Sequence, residues 1–301
     1  MTKTDDVGRP GRGARGARYQ PVPGTGIGPR VISVSDVHGY LDDCRSALLA
    51  VSETDRFAPV VTADDDGTLH WAGNDYVLVF NGDLVDRGDD SEGTVELMLR
   101  LLREAPPGRV RYHLGNHEMG ILLSEEFHWP RAYSQVLDRD LRRRFVSLVA
   151  DGVVTAAFEG YRYTYSHAGD TDGVDVEAVN ETAREAGLEL LATMDTGRYE
   201  SVQSDIPHRF DDVFGLGGPY GRGEEAGILW MDFEHMPTDA PPQVVGHTRQ
   251  ATPTRVGRTV CGNVIRTNVG SPGGEGALLE TPDELLAITK REDGGVSITR
   301  P

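Results

Sequence analysis

Three times in the first 120 residues, a β-branched or apolar run stops at a cluster of side chains able to bind metals or protons. RVISVS (30–35) ends in Asp36-Val37-His38-Gly39, VLVF (77–80) leads into Asn81-Gly82-Asp83, and RVRYHL (109–114) ends in Gly115-Asn116-His117-Glu118. Helical stripes follow the first two, at Leu41, Cys44, Leu48 and Val51 and then at Val95, Met98, Leu99 and Leu102. Strand, polar loop and helix in repetition predict an α/β fold. A continuous run such as VLVF marks a strand covered on both faces. Loops at the carboxyl ends of such strands gather at one edge, so residues distant in sequence can converge. His167, after YRYTYS, and His247, after QVVG, obey the same rule.

The remaining chain is less constrained. Residues 52–76 read as an insertion, a hairpin around ADDDGTLHW. A helix is predicted from 131 to 149 through Leu137, Leu141, Phe145 and Leu148, with Arg142-Arg143-Arg144 on its solvated face. Another is predicted over 176–194, followed by the glycine-rich FGLGGPYGRG. Asp90 or Ser91 is the expected cap of the helix after VLVF. No internal repeat or linker interrupts 30–301, which is expected to form one domain behind a flexible Gly/Arg-rich tail, 1–29.

Charge narrows the functional classes. The chain carries −18 overall, yet residues 1–30 hold six Lys/Arg against two Asp, leaving the remainder at −22. A body that acidic repels nucleic acid and anionic lipid, so only the basic tail could contact them. No run approaches the roughly eighteen apolar residues of a membrane helix, and the N-terminal residues lack the apolar stretch of a secretory signal. Cys44 and Cys261 alone make no disulfide framework, which fits a reducing cytoplasm.

Asp36, His38, Asp83, Asn116, His167 and His247 together offer carboxylate, imidazole and amide oxygen. That mixture suits Mn²⁺, Fe or Zn²⁺ better than thiolate-seeking ions. Six such groups exceed the need of one ion, and two ions sharing Asp83 use them economically. A pair of cations roughly 3.5–4 Å apart polarises a phosphoryl oxygen and lowers the pKa of a water between them. The neighbouring Gly39, Gly82, Gly115 and Gly246 are expected to let the backbone turn tightly there. Asp36 and His38, two apart, would face one side if extended. His70, His113, His128, His208 and His235 fall outside the pattern and read as structural or exposed.

The ordered set Asp36-Val-His38-Gly39, Gly82-Asp83-Leu-Val-Asp86-Arg87-Gly88, Gly115-Asn116-His117-Glu118, His167-Ala-Gly and Gly246-His247-Thr248 resembles the calcineurin-like metallophosphoesterases. GDLVDRG and GNHE are similar to the phosphoprotein phosphatase branch. GNHE-Met, HAG, the Trp of ILWMDF, VVGHT and a late NVGSP look like the bacterial Shewanella-like phosphatases. The resemblance spans about residues 30–272. It implies a four-layer α/β fold, a central mixed β-sandwich flanked by helices.

It also implies roles. Asp36, His38 and Asp83 would take one metal, and Asp83, Asn116, His167 and His247 the other. His117 would be the general acid, with Asp86 stabilising its imidazolium. Arg87 would clamp the phosphate, with Asn116 and a second arginine, Arg222 or its rival Arg209. The chain departs from relatives at Ser35, Leu114 and Arg249; the last stands where many phosphodiesterases offer another histidine to a metal. The implied activity is hydrolysis of phosphoserine, phosphothreonine or phosphotyrosine in proteins. A small-molecule phosphohydrolase, such as one acting on dinucleoside polyphosphates, is the alternative within the same chemistry. A regulatory binding protein with a structural metal site is the alternative outside it.

Overall fold

The structure, a computed structural model, describes residues 28–73, 75–218, 221–265, 267, 270 and 275–301. Nearly all of the Gly/Arg-rich tail, and NVGSP apart from Gly270, lie outside the described residues. The first half of the chain contributes β1 (Arg30–Val34), β2 (Val61–Ala63), β3 (Leu69–Trp71), β4 (Tyr76–Phe80), β5 (Val110–His113) and β6 (Val154–Thr155). The second contributes β7 (Ala157–Glu159), β8 (Thr164–Ser166), β9 (Gln243–Val245), β10 (Thr254–Val256), β11 (Thr259–Cys261), β12 (Gly276–Glu280), β13 (Leu285–Lys290) and β14 (Val296–Thr299). One sheet runs β14-β13-β12-β1-β4-β5-β6 and a second runs β10-β11-β9-β8-β7. β2 and β3 pair separately, which is the expected hairpin insertion.

The continuous apolar β4 has a direct explanation. Val77 and Val79 pack with Phe158, Tyr165, Val244 and Val260 of the second sheet. Leu78 and Phe80 point the other way, into the core that the helices share. Alternate residues thus enter different layers, and neither face of the strand meets water. This is the mixed α/β, two-sheet arrangement expected from the sequence. The chain changes sheets within one residue: β6 pairs with β5, Ala156 crosses, and β7 pairs with β8.

The helices that bear on the site are α1 (Leu41–Ala50), α2 (Ser91–Glu104), α3 (Asn116–Leu122), α4 (Tyr133–Val136), α5 (Arg139–Ala150), α6 (Val176–Thr193) and α7 (Tyr199–Arg209). Asp90, not Ser91, caps α2, accepting from the Gly93 amide at 2.8 Å. The helix expected over 131–149 is two helices. Leu137 is extended between them, and Asp138 caps α5 through the Leu141 amide. Its arginine run also needs correction, because Arg142 is buried. The guanidinium donates to the carbonyls of Ile121 (2.5 Å) and Ser134 (3.1 Å), tying α3 to α4.

Strand direction positions the site. β1, β4, β5 and β6 are parallel, as are β8, β9 and β11. The two sheets therefore present carboxyl ends, and the loops that follow them, along a shared edge. Asn81 joins those ends. Its buried amide donates to the carbonyls of Ser166 (2.8 Å) and Val244 (3.3 Å), and its oxygen accepts from His113 Nδ1 at 2.8 Å. Asn81→Ala strands two carbonyls and an imidazole in the interior, so it should cost roughly 2–4 kcal/mol. A lowered urea midpoint at unchanged slope would show it; an unchanged midpoint would contradict the joining role.

Candidate active site

Asp36 and His38 follow β1, Asp83 follows β4, Asn116 opens α3 after β5, and His167 and His247 follow β8 and β9. All six are buried. The first two loops are zipped together beyond the strands: the amides of Asp36, His38 and Gly39 donate to the carbonyls of Gly82, Asp83 and Leu84 at 2.8–3.0 Å. The condition under which Asp36 and His38 would face one side, an extended backbone, is not met; both have positive φ, 54° and 50°. Nine non-glycine residues among those described take positive φ, and seven of them are Asp36, His38, Asp83, Asp86, Arg87, Arg222 and His247. Such strain, about 1–3 kcal/mol per residue, collects where side chains must be aimed. The glycines divide by job. Gly82 (φ 85°) turns the chain, whereas Gly115, with φ negative, matters because a Cβ there would lie 2.2 Å from Asp83 Oδ1.

Asp83 occupies the centre. Its Oδ2 lies 3.4 Å from Nε2 of both His38 and His167, and its Oδ1 accepts from the His117 amide at 2.9 Å. His38 Nδ1 donates to the Val85 carbonyl (2.9 Å) and His167 Nδ1 to the Asn81 carbonyl (3.0 Å). A carbonyl can only accept, so each ring, when neutral, turns an Nε2 lone pair toward the carboxylate, and His167 Nε2 faces it with a proton when the ring is charged. A lone pair facing a carboxylate oxygen repels it unless a proton or cation lies between. His38 Nε2, buried, makes no hydrogen bond among the described residues. This is how metal-binding histidines are oriented, with Nδ1–H held by a carbonyl and the other nitrogen offered to the ion.

On the other side, Asn116 Oδ1 lies 3.2 Å from His167 Nε2 and 3.0 Å from His247 Nδ1, and the two rings approach to 3.2 Å. Asp36 Oδ2 accepts from the His247 amide at 3.0 Å, and Asn263 holds the His247 carbonyl at 2.9 Å. Two triads of possible ligand atoms emerge among the described residues: His38, Asp83 and His117, and Asp83, His167 and His247. Asp83 belongs to both, as expected of a shared ligand, and His117 lies near enough to join the first.

Titration behaviour reflects the same shortage of positive charge. Burial would raise the pKa of Asp83, but His167, His117 and His38 hold it well below the usual carboxylate range. Burial would lower His167, yet Asp83 outweighs it and lifts the imidazole to about 9. Asp36 rises to about 6 through burial, a rise His167 opposes and Asp83 reinforces. Burial drives His38 well below its ordinary value despite Asp83. In the protein alone, a proton on His167 supplies the charge that Asp83 demands; a divalent ion would supply it better. The donor set therefore fits hard-to-borderline cations.

His117 sits at the mouth, its side chain 11% exposed. Nδ1 donates to Asp86 Oδ2 at 2.6 Å, while Arg87 Nη2 approaches Nε2 at 3.3 Å. Asp86 is itself fixed, accepting from the Ser134 amide and hydroxyl, both at 2.8 Å. Arg87 stands at the rim. Loss of hydration and the like charges of Arg249 and Arg222 lower its pKa, against the pull of Asp83. Arg222 Nε lies 3.3 Å from His247 Nε2 and 3.5 Å from Asp232, so it borders the site. Arg209 is instead paired with Glu189 at 2.9 Å.

Sequence reasoning missed several contributors. Glu118 is buried, and its carboxylate accepts from the amides of Asp83 (2.7 Å), Leu84 (2.9 Å) and Gly115 (2.8 Å), shaping two loops at once. Its place three residues after Gly115, at a helix start, was the available signal. Ser134, Asn81 and Arg142 gave none. His113, set aside from the sequence as structural or exposed, is buried against Asn81, and burial pushes its pKa down to about 3.

The family model for calcineurin-like phosphoesterases matches residues 29–247. The chain belongs to the calcineurin-like phosphoesterase family. It is 23% identical over 236 residues to Shewanella-like protein phosphatase 1 of Plasmodium berghei, covering 73% of this chain and 61% of that longer relative. In fold it is similar to the cold-active protein-tyrosine phosphatase of a psychrophilic Shewanella species, with a TM-score of 0.59 at 19% identity, over 94% of this chain and 83% of the other. A protein serine/threonine phosphatase from Saccharomyces cerevisiae aligns with a TM-score of 0.50 at 15% identity, over 95% of this chain and 84% of the other. No helix among the described residues is long and apolar enough to cross a membrane.

Proposed function

We propose that this protein is a two-metal phosphomonoesterase acting on phosphorylated protein side chains. The reading rests above all on Asp83, whose one carboxylate oxygen lies 3.4 Å from Nε2 of both His38 and His167, brought to it by two different loops. Asp36, His38 and Asp83 would hold one ion, and Asp83, Asn116, His167 and His247 the other. Mn²⁺ suits the donors best, with Fe or Zn²⁺ as alternatives. When bound, such a pair supplies Lewis-acid polarisation of phosphoryl oxygens and a nucleophile at neutral pH.

The chain's own residues do the rest. Asp86 holds His117 through Nδ1, so Nε2 faces the site and can deliver a proton to the leaving oxygen. Arg87, beside His117, and Arg222, beside His247, bring guanidinium groups near the cluster, suited to paired hydrogen bonds with a phosphate dianion. The Asn116 amide can add a further donor. Phosphatase names among the relatives favour a phosphoprotein substrate over a dinucleoside polyphosphate. Two buried free thiols, Cys44 and Cys261, suit a cytoplasmic setting.

With added Mn²⁺, purified protein should hydrolyse phenyl phosphate at least about a hundredfold faster than its diester, and a chelator should abolish turnover. Diester turnover equal to or above that of the monoester would overturn the assignment.

A further inference from the structure

The stretch from Trp129 into α4 carries two residues that act on His117 from different directions. Ser134 reaches the imidazole through Asp86. Its amide donates to Asp86 Oδ1 and its hydroxyl to Oδ2, both at 2.8 Å, and Oδ2 also accepts from His117 Nδ1 at 2.6 Å. Trp129 meets the ring directly, with centroids 4.8 Å apart and planes at 35°. Phe127 backs Trp129 at 4.9 Å and continues to Trp230 at 5.6 Å, completing an aromatic wall. This stretch is clipped to α3 at two points. Gln135 Nε2 donates to the Gly120 carbonyl at 3.2 Å, and Arg142 donates to the carbonyls of Ile121 and Ser134 at 2.5 and 3.1 Å. Ser134 and Arg142 are both buried. A buried guanidinium held by neutral carbonyls is costly, and an apolar side chain could fill the same space with less penalty. Burial lowers the pKa of Arg142, an effect that Tyr199 and Glu125 oppose.

We propose that Ser134 and Arg142 are positioning residues for the proton transfer: Arg142 fixes the Ser134 carbonyl, Ser134 fixes both carboxylate oxygens of Asp86, and Asp86 aims His117. The inference rests on the phosphatase reading and extends it to two residues whose hydrogen bonds reach none of the six metal-facing side chains. An aspartate carboxylate turns easily about its last bond, because that torsion is broad. Donors on both oxygens stop the turning. Each oxygen offers about two lone-pair directions; on Oδ2 the Ser134 hydroxyl takes one, which leaves the other for His117. That arrangement keeps a proton on Nδ1 and turns Nε2 toward the mouth. As the phosphorus–oxygen bond breaks, the proton on Nε2 passes to the departing oxygen while Nδ1 keeps its own. Such a transfer needs the heavy atoms within roughly 2.6–3.2 Å, so a small swing of the ring is felt in the rate. Arg142 acts one step further back, by setting where Ser134 stands.

The test uses Ser134→Ala and Arg142→Lys, each alone and combined with His117→Asn, in the Mn²⁺-loaded protein. Arg142→Lys keeps the cation but loses the rigid fork that spans two carbonyls. Ser134→Ala should lower kcat on phenyl phosphate about tenfold, and Arg142→Lys about threefold, with KM and bound metal unchanged. On p-nitrophenyl phosphate, whose departing oxygen needs little protonation, both losses should stay below about twofold. With His117 already replaced, either substitution should change kcat less than about twofold, because residues acting through one group lose their effect with it. Proton NMR of the metal-free protein gives a readout without turnover. The downfield Nδ1–H resonance of His117, assigned by its loss in His117→Asn, should move upfield in Ser134→Ala. Ser134→Ala removes one oxygen and decides the matter even where Arg142→Lys unfolds. Equal losses on both esters, an undiminished loss in the His117→Asn background, or an unmoved resonance would overturn the positioning role alone. Absence of turnover by the unaltered protein would overturn the phosphatase reading and the inference with it.

Discussion

Asp83→Asn is expected to lower bound metal from two ions to less than one per chain and to reduce kcat/KM by at least about a thousandfold. The substitution keeps the size of the side chain and an oxygen able to accept from the His117 amide. What it removes is the negative charge between His38 Nε2 and His167 Nε2. Both proposed ion positions use that charge, so its loss should be felt on both sides rather than halving the site. The metal-free variant should be less stable than the metal-free parent, because the buried pair of Asp83 with protonated His167 loses one partner. Elemental analysis beside kinetics and thermal melting checks all three outcomes. Retention of two ions with full activity would remove Asp83 from its central role.

His117→Asn should behave differently, with kcat down by about 10²–10⁴-fold while metal content and KM hold. The comparison matters because the ring of His117 is close enough to His38 and Asp83 to be taken for a ligand. Leaving-group chemistry separates the roles. A proton donor matters most when the departing oxygen is basic, so the loss should be large for phenyl phosphate and markedly smaller for p-nitrophenyl phosphate. A ligand role would depress both alike and release metal. The Asp86 link at 2.6 Å and the two bonds from Ser134 that anchor Asp86 argue for a held, oriented imidazole.

Much of the fold and the cluster was legible because both are written in local code. A strand signals itself by β-branched residues, and in α/β sheets the polar residues that follow a strand share an edge with those after its neighbours. Asp36, His38, Asp83, Asn116, His167 and His247 could therefore be assembled without coordinates. Glu118 and Asn81 could not, since their work lies in backbone amides and carbonyls of loops far away in sequence. Arg142 misled for a related reason. An arginine between two others reads as solvated, yet two carbonyls at the end of α3 and in α4 gave this one partners inside. The aromatic wall was invisible because Phe127, Trp129 and Trp230 come from segments whose meeting no periodicity records.

The left-handed residues of the site have a consequence for how the molecule assembles. Seven side chains from Asp36 to His247 are held by dihedral angles that an isolated peptide seldom visits. Those angles are enforced by bonds to neighbouring loops, such as the Gly82, Asp83 and Leu84 carbonyls that receive the amides of Asp36, His38 and Gly39. The shape of these loops is held by contacts that require β1, β4 and the strand ends of the second sheet to be together. Chemistry in this chain therefore depends on tertiary contacts between loops, so a molecule in which those loop-to-loop bonds are broken while its strands stay paired is expected to be inactive.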